Sequence, residues 1–394
     1  MIEVRARAAA RLRAGHLWVY RSDLASASNL APGARVTVRD PRGNTLGTAL
    51  YSSASQIALR MISPGPVADE AAFHQLIRER IHAAVEYRRR VVEGSDAYRV
   101  VFSEADSLPG LIVDRYNDVL CLQALTQAMD QPEVKATVVA ALGEEFSPAG
   151  VVERADPRIR KLEHLPESHG GLLAGEKDAT IFTMNGVRFH YRAGEGQKTG
   201  AFLDQLENYA AAARYARGQA LDVFCYQGGF ALHLARGCES VTGVDSSRPA
   251  LEMAERNEEL NRASSSAKEV EWIEANAFDL LKDYAAAGRQ YDTVILDPPA
   301  FAKSKTTVET ALRGYKELNL RALKMLRPGG ILVTCSCSYH LSEAGFLEVV
   351  AAAAADAHRT ARVLEKRGQA KDHPILLAVP ETSYLKCLIL AVGS

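Results

Sequence analysis

From Gly194 to the C-terminus, apolar runs of strand length fall at 220–224, 241–245, 270–274, 292–296, 330–335 and 385–391. Between and around them, apolar positions return every three or four residues near 204–216, 229–236, 247–262, 276–285, 308–326 and 342–355, which predicts helices. Strand–helix alternation predicts a mainly parallel, doubly wound sheet covered on both faces. Ligands of such sheets sit outside the carboxyl ends of the strands. Asp222, Asp245, Asp297 and Cys337 fall at or just past predicted strand ends, so one crevice could hold them all.

Upstream the pattern differs. Residues 1–65 read as short strands: Val36-Thr37-Val38 alternates, Pro41-Arg42-Gly43-Asn44 is a turn signal, and Thr48–Tyr51 and Ile57–Met61 follow. These predict a small β-barrel, closed by the linker Ser63-Pro64-Gly65-Pro66. From Asp69 to Val92 the spacing of Phe73, Leu76, Ile77, Ile81, Ala84 and Val85 is helical, and Gly94 stops it. Strands near 99–103, 111–115 and 119–125, a helix near 133–144 and an Asn185-Gly186 hairpin complete an α+β middle region. The expected division is therefore 1–66, 67–193 and 194–394.

The net charge of −1 does not advertise nucleic-acid binding, but it hides an asymmetry. Residues 1–65 hold nine arginines (5, 7, 11, 13, 21, 35, 39, 42 and 60) against Glu3, Asp23 and Asp40, a net of +6. Such a face suits phosphates, and Trp18 and Tyr20 beside it could stack bases. A solvated basic face and core aromatics are the plainer alternatives. Arg88-Arg89-Arg90, in the last turn of a predicted helix, reads first as a complement to the helix dipole. The six cysteines include no Cys-x-x-Cys pair, so neither a disulfide framework nor a structural zinc is expected. No signal peptide opens the chain and no apolar run of about 18 residues occurs, which predicts a cytoplasmic protein with reduced thiols.

The chemistry lies in four stretches. Leu221-Asp222-Val223-Phe224-Cys225-Tyr226-Gln227-Gly228-Gly229 runs an apolar strand into a glycine pair, which allows a tight turn and close ligand approach. The spacing is not Gly-x-Gly-x-x-Gly, and no Gly-Lys-Ser/Thr follows, so dinucleotide and ATP readings lose ground. Asp245, one βα unit later, suits the hydroxyls of a ribose. Asn276 could accept from an adenine amino group, with Phe278 or Phe224 as apolar cover. A nucleoside without a pyrophosphate remains, S-adenosylmethionine first among them. Asp297-Pro298-Pro299 ends a buried strand, and its prolines remove backbone donors and stiffen the turn, leaving a carboxyl and carbonyls for a flat polar ring. An edge-strand stop would look the same.

Cys335 and Cys337 bear on which atom of that ring reacts. Carbon 5 of a pyrimidine is a poor nucleophile until something adds to carbon 6, and a thiolate does this well. Cys335, inside the apolar strand, reads as a small core residue. Cys337, past the strand among serines, is the candidate nucleophile.

Together these residues resemble the bacterial and archaeal rRNA large-subunit cytosine-5 methyltransferases that carry an N-terminal PUA domain. The resemblance spans essentially the whole chain. It is carried by Gly15–Tyr20, Gly43–Gly47, Glu104–Tyr116, Gln197–Gln205, Asp297–Phe301, Ser336-Cys337-Ser338 and Asp372-His373-Pro374. It implies a PUA β-barrel, a central α+β domain and a Rossmann-like class I methyltransferase domain. It also implies large-subunit rRNA as partner and S-adenosylmethionine as cofactor. Cys337 and Asp297 would be catalytic. Phe202, Gln205, Asp222, Phe224, Tyr226, Gly228, Gly229, Asp245, Asn276, Ala277 and Asp297 would line the cofactor site. Pro298, Pro299, Phe301 and Lys198 would meet the substrate, with no metal. A homodimer is compatible with the chain, whose residues do not settle its oligomeric state.

Three departures from the family pattern stand out. Pro299 occupies the place of a second cysteine, so another base must take the carbon 5 proton. Asn276 stands where a carboxylate is usual, and Leu206 and Tyr209 replace common arginines. Two rival readings remain open: a guanine (N7 or N2) rRNA methyltransferase that needs no thiol, and an inactive RNA-binding assembly factor.

Overall fold

The computed structural model describes residues 1–25, 30–194, 200–262, 267–301 and 308–394. The chain divides into two compact units. The first holds Met1–Phe182, Tyr191–Ala201 and Lys371–Thr382; the second holds Thr183–His190, Phe202–Ala370 and Ser383–Ser394.

The first unit opens with β1 (Ile2–Glu3), α1 (Ala6–Arg13), β2 (Trp18–Tyr20), β3 (Arg35–Arg39), β4 (Thr45–Tyr51) and β5 (Ile57–Ser63). Among the described residues its strands form a five-stranded sheet in the order β1-β3-β4-β5-β2. Helix α1 was not expected: its apolar stripe is only Ala8 and Ala9, with Leu12 partly buried, set among arginines. Those arginines are largely spoken for. Arg7 and Arg11 bond Asp23, Arg13 bonds Asp40, and Arg21 donates to the carbonyls of Ser52 and Ser55. Arg35 pairs with Glu70, and Arg60 with Glu104 and Glu163. Trp18 is half-buried and its indole N–H donates to Glu104 at 2.9 Å.

The unit continues with α2 (Glu70–Val91), β6 (Ala97–Phe102), β7 (Leu111–Tyr116), β8 (Val119–Ala124), α3 (Pro132–Phe146), β9 (Gly150–Glu153), α4 (Pro157–Leu162) and β10 (Gly171–Gly175). Asp69 caps α2 by accepting from the Ala72 N–H at 2.8 Å. Arg88 in its last turn is not a dipole complement on the surface. It is fully buried and bonds Asp106, the Arg99 carbonyl and the Asp372 carbonyl. Asp372 in turn accepts from the Arg99 N–H at 2.8 Å and bonds His373. The Asp372-His373-Pro374 stretch thus belongs to this unit's interior. β11 (Ala179–Met184) and β12 (Val187–Arg192) form the expected hairpin, with Asn185 and Gly186 both left-handed at φ 51° and 79°.

The second unit runs α5 (Leu206–Tyr215), β13 (Gln219–Val223), α6 (Gly229–Leu234), β14 (Ser240–Asp245), α7 (Arg248–Arg262), β15 (Val270–Glu274) and α8 (Ala277–Ala286). β16 (Tyr291–Leu296), α9 (Val308–Met325), β17 (Leu326–Ser336), α10 (Glu343–Asp356), β18 (Ala361–Arg367) and β19 (Lys386–Val392) follow. Among the described residues these strands make one seven-stranded sheet, β15-β14-β13-β16-β17-β19-β18. The pairs from β15 to β17 are parallel, whereas β19 is antiparallel to β17 and to β18. Ala220 to Val223 are all buried, as a central strand covered on both faces requires. Leu221, Val223, Val294 and Leu296 join Leu318, Leu323 and Phe346 in one core, each such side chain contributing about 1.5–3 kcal/mol. The chain reverses direction across the sheet between β14 and β16 on either side of β13, which opens a crevice at the carboxyl ends.

Candidate active site

The loop leaving β13 is held in unusual backbone. Phe224, Tyr226 and Gly228 are left-handed at φ 68°, 50° and 85°. For two aromatic residues that conformation is strained, and such strain persists where surroundings over-determine it. Here the Phe224 and Cys225 N–H groups donate to the Val244 carbonyl at 2.8 and 3.0 Å, and the Tyr226 N–H donates to Asp245 at 2.9 Å. Asp245 also accepts from the Ser247 N–H at 2.9 Å. Each of its oxygens therefore takes one backbone bond and keeps acceptor capacity for a ligand's hydroxyls. A Cβ at Gly228 would meet the Trp272 ring at 2.9 Å, and one at Gly229 would meet the Tyr209 hydroxyl at 2.5 Å. Tyr209 is buried edge-on to Phe230, so the residue standing in place of a common arginine is part of the packing beneath the loop.

Asp222 sits under the same loop with no exposed surface. One carboxylate oxygen accepts from the Ala231 N–H at 2.8 Å; the other is buried with no partner. Burial pushes its carboxyl up to about 8, against the Ala231 bond, and the charges of Asp297 and Asp245 add to the rise. An orphaned buried acceptor of this kind is what the ammonium of an amino-acid-bearing nucleoside would satisfy. With the glycine cradle and Asp245, the donor and acceptor set fits S-adenosylmethionine.

At the end of β15, Asn276 caps α8: its side-chain oxygen accepts from the Phe278 and Asp279 N–H groups at 2.9 and 3.4 Å. An adenine amino group would have to share that oxygen. Ala277 behind it is buried, and Phe278 is exposed with its ring 5.9 Å from that of Phe301. Phe202 packs edge-on against Tyr226 with ring centroids 5.0 Å apart.

Asp297 follows β16, and its carboxylate accepts from the Gln205 side-chain amide at 2.9 Å. Gln205 is itself fixed: its oxygen accepts from Asn208 at 2.7 Å, and Asn208 accepts from Arg367 on β18 at 2.8 Å. Gln205, expected at the cofactor, thus also holds Asp297. The Cys337 sulfur lies 4.0 Å from the Pro298 carbonyl, so the thiol and the Asp297-Pro298-Pro299 turn meet although 39 positions apart. Pro298 is buried and Pro299 exposed. Of the six cysteines, Cys337 is the one that is not buried. Cys335 pairs across the sheet with Cys387, and both are wholly buried. Phe301 packs on Tyr315 at 4.9 Å, whose hydroxyl bonds that of Ser338 at 2.9 Å.

Sequence patterning did not single out Tyr315, Asn208, Arg367 or Lys386. The last had a signal available, a lone cation opening the apolar run Cys387–Leu390. Lys198 lies outside the described residues, as do Gln197 and Thr199.

Residues 2–64 match the family described as a PUA-like domain, and residues 106–379 match the S-adenosylmethionine-dependent methyltransferases. The chain is 38% identical over 383 residues to ribosomal RNA large subunit methyltransferase I of Photobacterium profundum, covering 95% of each. It is likewise 38% identical over 384 residues to the protein of that name from Shewanella amazonensis, covering 96% of this chain and 95% of that one. Among solved structures, SMU.776 complexed with SAH superposes with a TM-score of 0.83 over 99% of this chain and 100% of that one, at 20% identity, a likeness of fold.

Proposed function

The chain belongs to the S-adenosylmethionine-dependent methyltransferases, in the family of the ribosomal RNA large subunit methyltransferases I, and from that premise we propose that it methylates carbon 5 of a cytosine in large-subunit rRNA. The observation that carries the reading is the meeting of the thiol of Cys337, the one cysteine that is not buried, with the Asp297-Pro298-Pro299 turn at the carboxyl end of the sheet. Methylation of a guanine nitrogen needs no thiol at that place.

In this reading the Cys337 thiolate adds to carbon 6, which makes carbon 5 electron-rich. Asp297, held by Gln205, acts here as the carboxylic acid: its O–H donates to cytosine N3 and its other oxygen accepts from the N4 amino group. The proton given to N3 stabilises the negative charge that thiolate addition sends there. S-adenosylmethionine, when bound, supplies the methyl that carbon 5 takes. Loss of the carbon 5 proton and expulsion of Cys337 restore the ring; with Pro299 in place of a second cysteine, the proton goes to another base. Pro298, Pro299 and Phe301 form the floor for the base, with Lys198 as a further contact. The unpartnered oxygen of Asp222 faces the methionine ammonium, Asp245 the ribose, and Phe202, Phe224, Tyr226, Gly228, Gly229, Asn276 and Ala277 the rest of the cofactor. Residues 1–66, 67–193 and 194–394 act as RNA-binding, central and catalytic parts. The sheet and core of the first 65 residues support the first division. The reaction takes place in the cytoplasm, where the large subunit is assembled.

The test is to supply tritiated S-adenosylmethionine and unmodified large-subunit rRNA, then resolve the nucleosides. Label in 5-methylcytidine, lost in Cys337→Ala, is expected; label in a methylguanosine overturns the reading.

A further inference from the structure

Lys386 is the first residue of β19 and stands opposite Ser336 in the antiparallel register, one position before Cys337. Its side chain is buried. The ammonium donates to the Ser338 carbonyl at 2.7 Å and the Tyr384 carbonyl at 2.8 Å. An ammonium has three donors, so one remains. Among the described residues it makes no salt bridge, although a buried charge without a counter-charge is costly. Burial pulls the Lys386 amine down to about 8, and the charge that pulls it back up is Cys337.

Among the described residues, Arg367 stands on β18 opposite Cys387 and is bonded to Asn208 and Glu365. Tyr315 on α9 reaches Ser338, and Asp297 after β16 is held by Gln205. Cys335 and Cys387 pair with each other on β17 and β19, and Asp204 accepts from the Tyr384 hydroxyl at 2.6 Å.

We propose that Lys386 is the counter-charge that keeps Cys337 as a thiolate, a positioning residue that acts through the nucleophile. The inference rests on the reading of Cys337 above and deepens it. With the cation in place the sulfur is poised to add without waiting for a base. The same charge stabilises the thiolate again when it is expelled from the methylated ring.

An opposite charge within about 4–6 Å moves a pKa by about one to three units, from about 8.5 for an ordinary cysteine. The experiment measures iodoacetamide alkylation of the folded protein against pH, read at the Cys337 peptide by mass spectrometry. Wild type should show a midpoint at least about one unit below 8.5. Lys386→Met should raise the midpoint by about one unit or more and slow alkylation at neutral pH about tenfold, while Lys386→Arg keeps it low. A wild-type midpoint at or above the ordinary value overturns the proposal without any variant, as does an unmoved midpoint in a folded Lys386→Met. The two readings fail separately. If Cys337→Ala still methylates, the nucleophile assignment falls, whatever the midpoint. If Cys337 is required but its midpoint is ordinary, only the role of Lys386 falls.

Discussion

Replacing Asp222 by Asn should make the second unit more stable at high pH than at low pH, relative to wild type. The carboxyl is wholly buried, one of its oxygens has no partner, and its pKa stands at about 8 against about 3.9 in an unfolded chain. The folded protein therefore holds this proton where the unfolded chain has released it. The stabilisation from the group is complete below about pH 4 and is lost as pH rises through about 8. Roughly four units at about 1.4 kcal/mol each give a span of ~6 kcal/mol. The amide keeps the bond from the Ala231 N–H and carries no charge, so it has no such span. Urea unfolding of wild type and variant between about pH 5 and about pH 9 reads the difference. The chain has two tryptophans, so a Trp18→Phe background leaves Trp272 as the reporter of the second unit. The gap in favour of Asn should widen by about 1.4 kcal/mol per pH unit below the native midpoint. A gap constant across that range would refute the buried, strained carboxyl. A second reading comes from calorimetry of S-adenosylhomocysteine binding in two buffers near neutral pH. Pairing Asp222 with the ammonium should release a proton, and its absence would remove Asp222 from the cofactor site.

Two further substitutions test the packing. Gly229→Ala puts a methyl 2.5 Å from the Tyr209 hydroxyl and should cost about 1–3 kcal/mol; a double-mutant cycle with Tyr209→Phe, which removes the nearest atom, should recover part of it, and strict additivity would mean the clash is absent. Arg88→Met strands the Asp106 carboxylate in the first unit's interior and should cost about 3–5 kcal/mol by denaturant unfolding, whereas a surface helix-end arginine would cost well under one.

The catalytic sheet was legible because buried parallel strands are short apolar runs and their helices keep a three-to-four spacing. β18 was not, because Ala361–Arg367 is a charged strand at the sheet's edge with most of its residues exposed. Helix α1 was hidden by arginines that look solvated in sequence but pair with Asp23 and Asp40 in the fold. Asp222, Asp245, Asp297 and Cys337 could be assigned to one edge of the sheet because parallel strands all end on the same side. What turned on partners across the chain could not be read in advance. Gln205 meets Asp297 92 positions away, and Lys386 meets the Ser338 carbonyl 48 away. For Asn276, the residue type suits a helix cap as well as a ligand, and the backbone it caps decides which bond forms first.

The measurement closest to the central claim is a trapping experiment. Wild type, Cys335→Ala and Cys337→Ala are incubated with S-adenosylmethionine and large-subunit rRNA carrying 5-fluorocytosine, whose fluorine cannot leave as the proton does, and the mixtures are resolved for a covalent protein–RNA band. A band from wild type and Cys335→Ala but none from Cys337→Ala is the predicted result. No band from any of the three, with tritiated methyl still reaching unmodified rRNA, would contradict a thiol mechanism and return guanine as the target.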